Sequence, residues 1–301
     1  MQIKIKDLSY TYQAKTPFAA AALNDINLDL DGNFFLALVG QTGSGKSTLV
    51  QHLNALLLPT SGSIQIDNFL VKPFKRKKWA FIDLNLKNYK KRKQFDLKLL
   101  RKKAGLVFQF PEYQLFESTV LKDVMFGPLN YKIESKKAED MAKKALTDVG
   151  IDSSYYSRSP FELSGGEKRR VAIAGILALN PDVLILDEPT AGLDPLGEQL
   201  IMNLFNKIHL DGKPIILVTH NMDIVLKYAE KVVVLDHSKL IISATPLELF
   251  QNEEVLKKTA IDLPQTFLTA IKLKEAGFNI DLKKVKDVKS LALQIKENYN
   301  G

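Results

Sequence analysis

The stretch Phe34–Ser47, FFLALVGQTGSGKS, decides the fold. Its first six residues, Phe34–Val39, form an unbroken apolar run suited to a strand buried on both faces of a parallel sheet. Gly40-Gln41-Thr42-Gly43-Ser44-Gly45-Lys46-Ser47 then fits the pattern G-x-x-x-x-G-K-[ST]. The glycines let the backbone curl so that successive N–H groups point into one concavity, which suits a phosphate. Lys46 adds a positive charge for β- and γ-phosphates, and the Ser47 hydroxyl is placed for Mg²⁺. The following stretch, Ser47–Leu57 with Thr48 inside it, reads as a helix closed by Pro59 and the turn Thr60-Ser61-Gly62. A phosphate loop between a strand and a helix is a nucleotide site in an α/β fold.

Three further apolar runs resemble buried strands: Val183–Leu186, Ile215–Thr219 and Val232–Leu235. Each follows a helical pattern, the alternation expected of a sheet with helices on both faces. The first pushes Asp187 and Glu188 out at its carboxyl end, where ligands bind in open α/β sheets. Asp187 suits a Mg²⁺ shell, and Glu188 is placed to polarise an attacking water. His220 ends the next strand and is placed to hydrogen-bond a γ-phosphate or that water. His52, His209 and His237 have no such placement and read as structural.

Elsewhere, residues 3–5 read as a strand, Ser63–Asp67 as an edge strand, and Ala104–Phe110 as a further strand. A turn is expected at Gly127-Pro128, followed by an amphipathic helix over Glu134–Val149. A helical tail opens at Pro246, turns near Leu263-Pro264 and continues to Gly301.

The 301 residues suffice for one large domain, or one domain plus a small appendage. Cysteine is absent, which excludes disulfides and thiolate metal sites. The N-terminus lacks the apolar core of a signal peptide. The longest apolar run, Val171–Leu179, falls far short of the ~20 residues needed to span a bilayer. A membrane role must therefore come through a partner or a surface patch. The net charge of +8 is local. Residues 72–103 hold 14 Lys or Arg against Asp83 and Asp96, a net of +12, which leaves −4 for the rest. That segment also carries Trp79, Phe81, Tyr89 and Phe95. It has three readings: a solvated loop, a contact with anionic lipid headgroups, and a nucleic-acid contact, the last the least favoured.

Together these residues resemble an ABC-type ATPase over nearly the whole chain. Gly40–Ser47 is similar to the Walker A loop of that family and Val183–Glu188 to its Walker B strand. Leu163-Ser164-Gly165-Gly166-Glu167 is similar to the signature, with Glu167 where the family usually has Gln. Gln109 resembles the Q-loop glutamine, Ala191–Asp194 the D-loop, and His220 the switch histidine. The segments Val107–Phe116, Thr119–Pro128, Arg169–Gly175 and Ile261–Gln265 resemble the ATPases of energy-coupling factor importers, which take up vitamins and transition-metal ions. The form around Gln109 looks most like the second of their two ATPases.

The resemblance implies an ABC ATPase core over residues 1–245, with an antiparallel β subdomain and an α-helical signature subdomain at about 111–165. A basic insertion spans about 72–103, and a small helical C-terminal extension, 246–301, is a candidate for dimerisation. It implies ATP and Mg²⁺ as cofactors, with Glu188, His220 and Lys46 catalytic and Ser47, Gln109 and Asp187 at the metal. Nucleotide contacts are expected from Gly40 through Thr48, Gln109, Ser164, Gly165, Gly166 and Asp194, with Tyr12 stacking on adenine and Tyr10 as the alternative. The implied partners are a second ATPase, a transmembrane coupling subunit and a substrate-binding membrane subunit. The implied place is the cytoplasmic face of the cell membrane. A soluble ATPase acting on nucleic acid or ribosomes is the rival, against which stands the single ATPase domain of this chain.

Overall fold

The computed structural model describes residues 1–73 and 97–299. Most of the basic segment, with Trp79, Phe81, Tyr89 and Phe95, lies outside the described residues, and so do the lipid and nucleic-acid contacts expected there. The strands are β1 (Gln2–Tyr12), β2 (Ala20–Asp31), β3 (Phe35–Val39), β4 (Ser61–Ile66), β5 (Phe69–Val71), β6 (Ala104–Val107), β7 (Val183–Asp187), β8 (Ile215–Val218), β9 (Lys231–Asp236) and β10 (Lys239–Ala244). The helices are α1 (Lys46–Leu53), α2 (Leu97–Lys103), α3 (Val120–Asn130), α4 (Ser135–Asp148), α5 (Gly165–Leu177), α6 (Pro195–Leu210), α7 (Met222–Tyr228), α8 (Pro246–Phe250), α9 (Glu253–Thr259), α10 (Gln265–Glu275) and α11 (Val288–Tyr299).

One sheet has the order β10-β9-β3-β8-β7-β6, parallel except for β10. Every residue of β3 is buried, and its side chains alternate between the two faces of the sheet. Leu36 and Leu38 join a core with Ile3, Ile5 and Ile26 of the second sheet and with Leu49 and Val50 of α1. Phe35, on the other face, packs with Val171 of α5 and Phe205 of α6. A strand sealed on both sides cannot alternate in polarity, which is why the run Phe34–Val39 is apolar throughout.

The second sheet is antiparallel, ordered β2-β1-β4-β5. The strand expected at residues 3–5 is the start of β1, eleven residues long. A register shift between Ile5 and Leu8 breaks its alternation. The reading of Ser63–Asp67 as an edge strand is overturned. β4 pairs with β1 on one side and with the three-residue β5 on the other. Two other spans are shorter than expected: α1 ends at Leu53 rather than Leu57, and β6 ends at Val107 rather than Phe110.

The turn expected at Gly127-Pro128 is also overturned, because both residues lie inside α3. Proline costs a helix its N–H, but α3 runs only two residues further, and Gly127 lets it approach Gly175 and Leu179 closely. Helices α3, α4 and α5 form a bundle that carries the Ser164-Gly165-Gly166 turn at the start of α5. The C-terminal helices have no core of their own. Leu249, Phe250, Phe267, Ile280, Val285 and Leu291 pack on Ala37 and Val39 of β3 and on Val232 and Val234 of β9.

His52, fully buried in α1, meets the Tyr10 ring edge-on at 4.7 Å. Its Nδ1 donates to the Thr48 carbonyl at 2.7 Å. Burial lowers the pKa of this imidazole below its ordinary value, although backbone hydrogen bonds to Thr48 and Leu58 oppose the shift. The unfolded chain therefore takes up a proton below pH ~6.5 that the fold resists. Stability should be unaffected above that pH and fall below it, by at most about 1.4 kcal/mol per pH unit. Thermal melts between pH 7.5 and 5.5 should show a shallower acid decline for His52→Gln than for the wild type.

Candidate nucleotide site

The loop after β3 is held open by glycine. Gly40 has φ +142° and Gly45 φ +106°. A Cβ at Gly40 would strike the Leu235 carbonyl, and one at Gly45 the Ala22 carbonyl, so the loop is pressed against the fold from behind. Lys46, buried at the start of α1, folds its Nζ back to donate to the carbonyls of Gly40 at 2.7 Å and Gln41 at 2.8 Å. Burial lowers the pKa of this ammonium, while Glu188 and then Asp187 pull it back up. A desolvated cation fixed over a ring of backbone N–H groups is a strong anion site.

Parallel pairing brings the acids to this loop. Asp187 pairs with Val218 at the carboxyl edge of the sheet. The Ser47 hydroxyl donates to its Oδ1 at 3.3 Å. Burial raises the Asp187 pKa and the neighbouring Glu188 adds to it, against the Ser47 bond and Lys46. A hydroxyl and a carboxylate meeting beside a phosphate loop are hard oxygen donors, which fit Mg²⁺.

Glu188 takes the left-handed conformation, φ +50°, and so turns away from Asp187. Its Oε2 accepts from the Gln109 amide at 3.2 Å, and its Oε1 lies 3.6 Å from Nδ1 of the exposed His220. Gln109, Glu188 and His220 follow β6, β7 and β8 in turn, so three adjacent strand ends meet at one carboxylate. The Gln109 amide thus faces Glu188, not the Ser47–Asp187 pair. Gly40, Gln41, Thr42, Lys46, Glu188 and His220 line a cleft of about 680 Å³, closed on one side by Thr259–Asp262 of the C-terminal helices. The Gln41 side chain donates to the Thr259 carbonyl at 3.4 Å. Thr42, Gly43 and Ser47 are exposed, while Ser44 and Thr48 are buried.

Tyr12 presents an exposed ring, 38 % accessible, with its hydroxyl 3.2 Å from the Thr48 hydroxyl. Tyr10 instead packs on the core between Tyr12 and His52. Ser164, Gly165 and Gly166 do not line the cleft. Ser164 caps α5, and Glu167 completes a capping box, accepting from the Ser164 N–H at 2.9 Å and its hydroxyl at 2.7 Å. These bonds hold the Glu167 pKa below its ordinary value. Asp194 caps α6 by accepting from the Gly197 N–H at 2.7 Å.

The family model described as ABC transporter matches residues 23–191. The chain belongs to that family. Among curated relatives, the energy-coupling factor transporter ATP-binding proteins EcfA2 of Streptococcus agalactiae and Streptococcus pyogenes are each 47 % identical over 280 residues, 93 % of this chain and 94 % of theirs. Among solved structures, cbiO1 from Clostridium perfringens, part of the ABC transporter complex cbiONQ, superposes with TM-score 0.68 at 36 % identity, over 91 % of this chain and 98 % of that one. The dimeric ATP-binding cassette MJ0796 bound to ADP and Pi gives TM-score 0.67 at 27 % identity, over 81 % and 98 %.

This ABC ATPase holds groups that the motifs do not announce. Thr259–Asp262 reach the phosphate side of the cleft from a helical tail whose sequence carries no phosphate pattern. Arg169 looks like part of a solvated Lys/Arg run, yet it is buried. Its spacing of four from the buried Ile173 was the available signal. The two tyrosines separate by experiment. Tyr12→Ala should weaken ATP binding by up to about tenfold with little loss of stability, since an aromatic stack contributes about 0.5–1.5 kcal/mol. Tyr10→Ala should lower the melting temperature instead; nucleotide titration and thermal melts of both variants read the difference.

Proposed function

We propose that this chain works as one of two cassettes that close head to tail on ATP and so power an energy-coupling factor importer for vitamins or transition-metal ions. One observation carries the reading: the donors at Ser164–Gly166 stand outside the cleft that holds the chain's own Lys46 and Glu188. Such donors are of use to the nucleotide of a second subunit. The chain then supplies half of each of two sites. ATP binds the closed pair better than the open one, and that difference in affinity moves the assembly.

The geometry of the site supports the following roles. The amides of Gly40–Ser47 and the Lys46 ammonium hold the β- and γ-phosphates, with Tyr12 under the adenine. Ser47 and Asp187 would hold Mg²⁺, which neutralises charge between the phosphate oxygens. Glu188, held by Gln109 and facing His220, orients the attacking water and accepts its proton. Ser164 and the Gly165 and Gly166 amides approach the γ-phosphate from the partner. Asp194, committed to its helix cap, fixes the turn that faces the partner.

Coupling requires a surface that feels closure. Phe110, Tyr113 and Phe116 are exposed on the segment after Gln109, Tyr113 to 83 %. The Phe116 ring meets Phe126 of α3 edge-on at 4.9 Å, and we read this exposed aromatic surface as one groove. This groove receives a helix of the transmembrane coupling subunit, which works beside a separate substrate-binding membrane subunit. Among the described residues no helix is long and apolar enough to cross a membrane. Beside these membrane subunits the cassette would sit peripherally, on the cytoplasmic face. The rival reading, an ATPase acting on nucleic acid or ribosomes, is not favoured by relatives that match over 93 % of the chain.

Two measurements test this. Glu188→Gln should lower kcat for ATP by about a hundredfold or more while ATP still binds and promotes pairing. Gln109→Ala and Tyr113→Ala should reduce substrate uptake per ATP in reconstituted vesicles with nucleotide affinity retained. Unchanged transport in both would overturn the groove.

A further inference from the structure

Arg169 belongs to the signature helix, yet none of its contacts involves the phosphate cleft. It is 3 % exposed. Its Nε and Nη2 donate to the two carboxylate oxygens of Glu112, at 3.1 and 2.8 Å. Its Nη1 donates to the carbonyls of Pro189 at 3.2 Å and Ala191 at 2.8 Å. The guanidinium carbon lies 5.8 Å from the centre of the Phe110 ring. One planar group therefore joins three segments: the aromatic segment that carries Tyr113, the signature helix, and the turn after Glu188.

That turn fixes the direction of Glu188. Its first residue is the left-handed Glu188 itself, and the Ala191 N–H closes it by donating to the Glu188 carbonyl at 3.1 Å. Arg169 grips two of the three carbonyls that follow Glu188. A fork of fixed N–H directions transmits displacement where a flexible ammonium would swivel. The bidentate pair with Glu112 is the only ion pair among the described residues between the aromatic segment and α5.

We propose that Arg169 is a positioning residue that relays occupancy of the aromatic groove to Glu188, by clamping Glu112 on one side and the Pro189–Ala191 turn on the other. A partner helix that presses on Tyr113 shifts the adjoining Glu112. The guanidinium follows, and the turn re-aims the Glu188 carboxylate. The same movement tilts α5, so the signature offered to the partner's nucleotide responds together with the chain's own base. This rests on the reading of the groove as the seat of a membrane partner.

The test compares the assembled transporter in vesicles with the free ATPase pair, for wild type, Glu112→Gln, Arg169→Lys and Tyr113→Ala. ATPase rate, KM, ATP affinity, melting temperature and uptake per ATP are measured for each. Glu112→Gln keeps the shape but loses the charge. It should lower both the assembled-to-free ATPase ratio and the uptake per ATP by about tenfold, with ATP affinity as in wild type. Arg169→Lys keeps the charge but not the fork. It should lower kcat by about tenfold with KM within about twofold, so a cation alone does not rescue the role. If Tyr113→Ala uncouples while Glu112→Gln behaves as wild type, the relay is overturned and the groove stands. If Tyr113→Ala transports normally, the groove reading fails and the relay fails with it. Should Arg169→Lys melt too low to assay, the Glu112→Gln ratio alone decides.

Discussion

A parallel sheet covered on both faces leaves one open place for chemistry, its carboxyl edge, and the rest of this structure depends on that constraint. β3 is buried along its whole length, with Leu36 and Leu38 sealed by the antiparallel sheet and Phe35, Ala37 and Val39 by helices. Its backbone N–H and C=O groups are paired to β8 and β9. Only beyond Val39 can N–H groups turn toward a ligand. The parallel register then decides which side chains meet them. Asp187 stands beside Val218 because β7 and β8 run together, and that step brings its carboxylate to Ser47, 140 residues away in sequence. Gln109, Glu188 and His220 assemble by the same rule, one after each of three adjacent strands.

Much of this was legible because buried parallel strands are apolar without interruption and phosphate loops need glycine at fixed spacing. β3, β7, β8 and β9 stood out for the first reason, and Gly40–Ser47 for the second. The antiparallel sheet was harder. Asp7 takes φ +49° in a bulge of β1, which breaks the alternation that marks a half-buried strand. β5 is only three residues long, so nothing in the sequence showed that β4 had a second neighbour. Gly127-Pro128 is an ordinary turn signal, overridden here by the packing of α3 on α5. In the site, residue types were legible but backbone conformations were not. That Glu188 points elsewhere than Asp187 follows from their adjacency at a strand end, but nothing in the pair says that Glu188 adopts a left-handed backbone.

The C-terminal helices change meaning in the same way. Read along the chain they are an appendage after Pro246. Their apolar side chains, however, join Val225 and Leu226 of α7 in covering one face of β3 and β9, so the core on that face is completed only when they dock. Docking also brings Thr259 to the Gln41 side chain and Thr259–Asp262 to the rim of the cleft. A segment that serves the core on one side and the phosphate loop on the other is held in register with both. The loop itself is pressed from behind by Leu235 and Ala22 and flanked by Thr259, which leaves it little freedom to rearrange. Preorganised donors of this kind cost little to bring to a bound phosphate.

Glu167 shows how one side chain can satisfy two opposed demands. A carboxylate near an incoming γ-phosphate is unfavourable by charge alone. The structure places it in a capping box, where Ser164 donates both its N–H and its hydroxyl, and Tyr155 also hydrogen-bonds it. A negative charge in the first turn is favourable to the helix and is partly offset by the helix dipole. The hydroxyl of Ser164 has only one proton, however, and Glu167 holds it. A phosphate that takes that proton must displace a charged acceptor, whereas the amides of Gly165 and Gly166 need displace nothing comparable. In the proposed pair, the dependable donors of this signature are therefore its backbone N–H groups. Two glycines between Ser164 and Glu167 suit that proposed role, since side chains there would screen the amides that the head-to-tail pairing offers to the partner's phosphate.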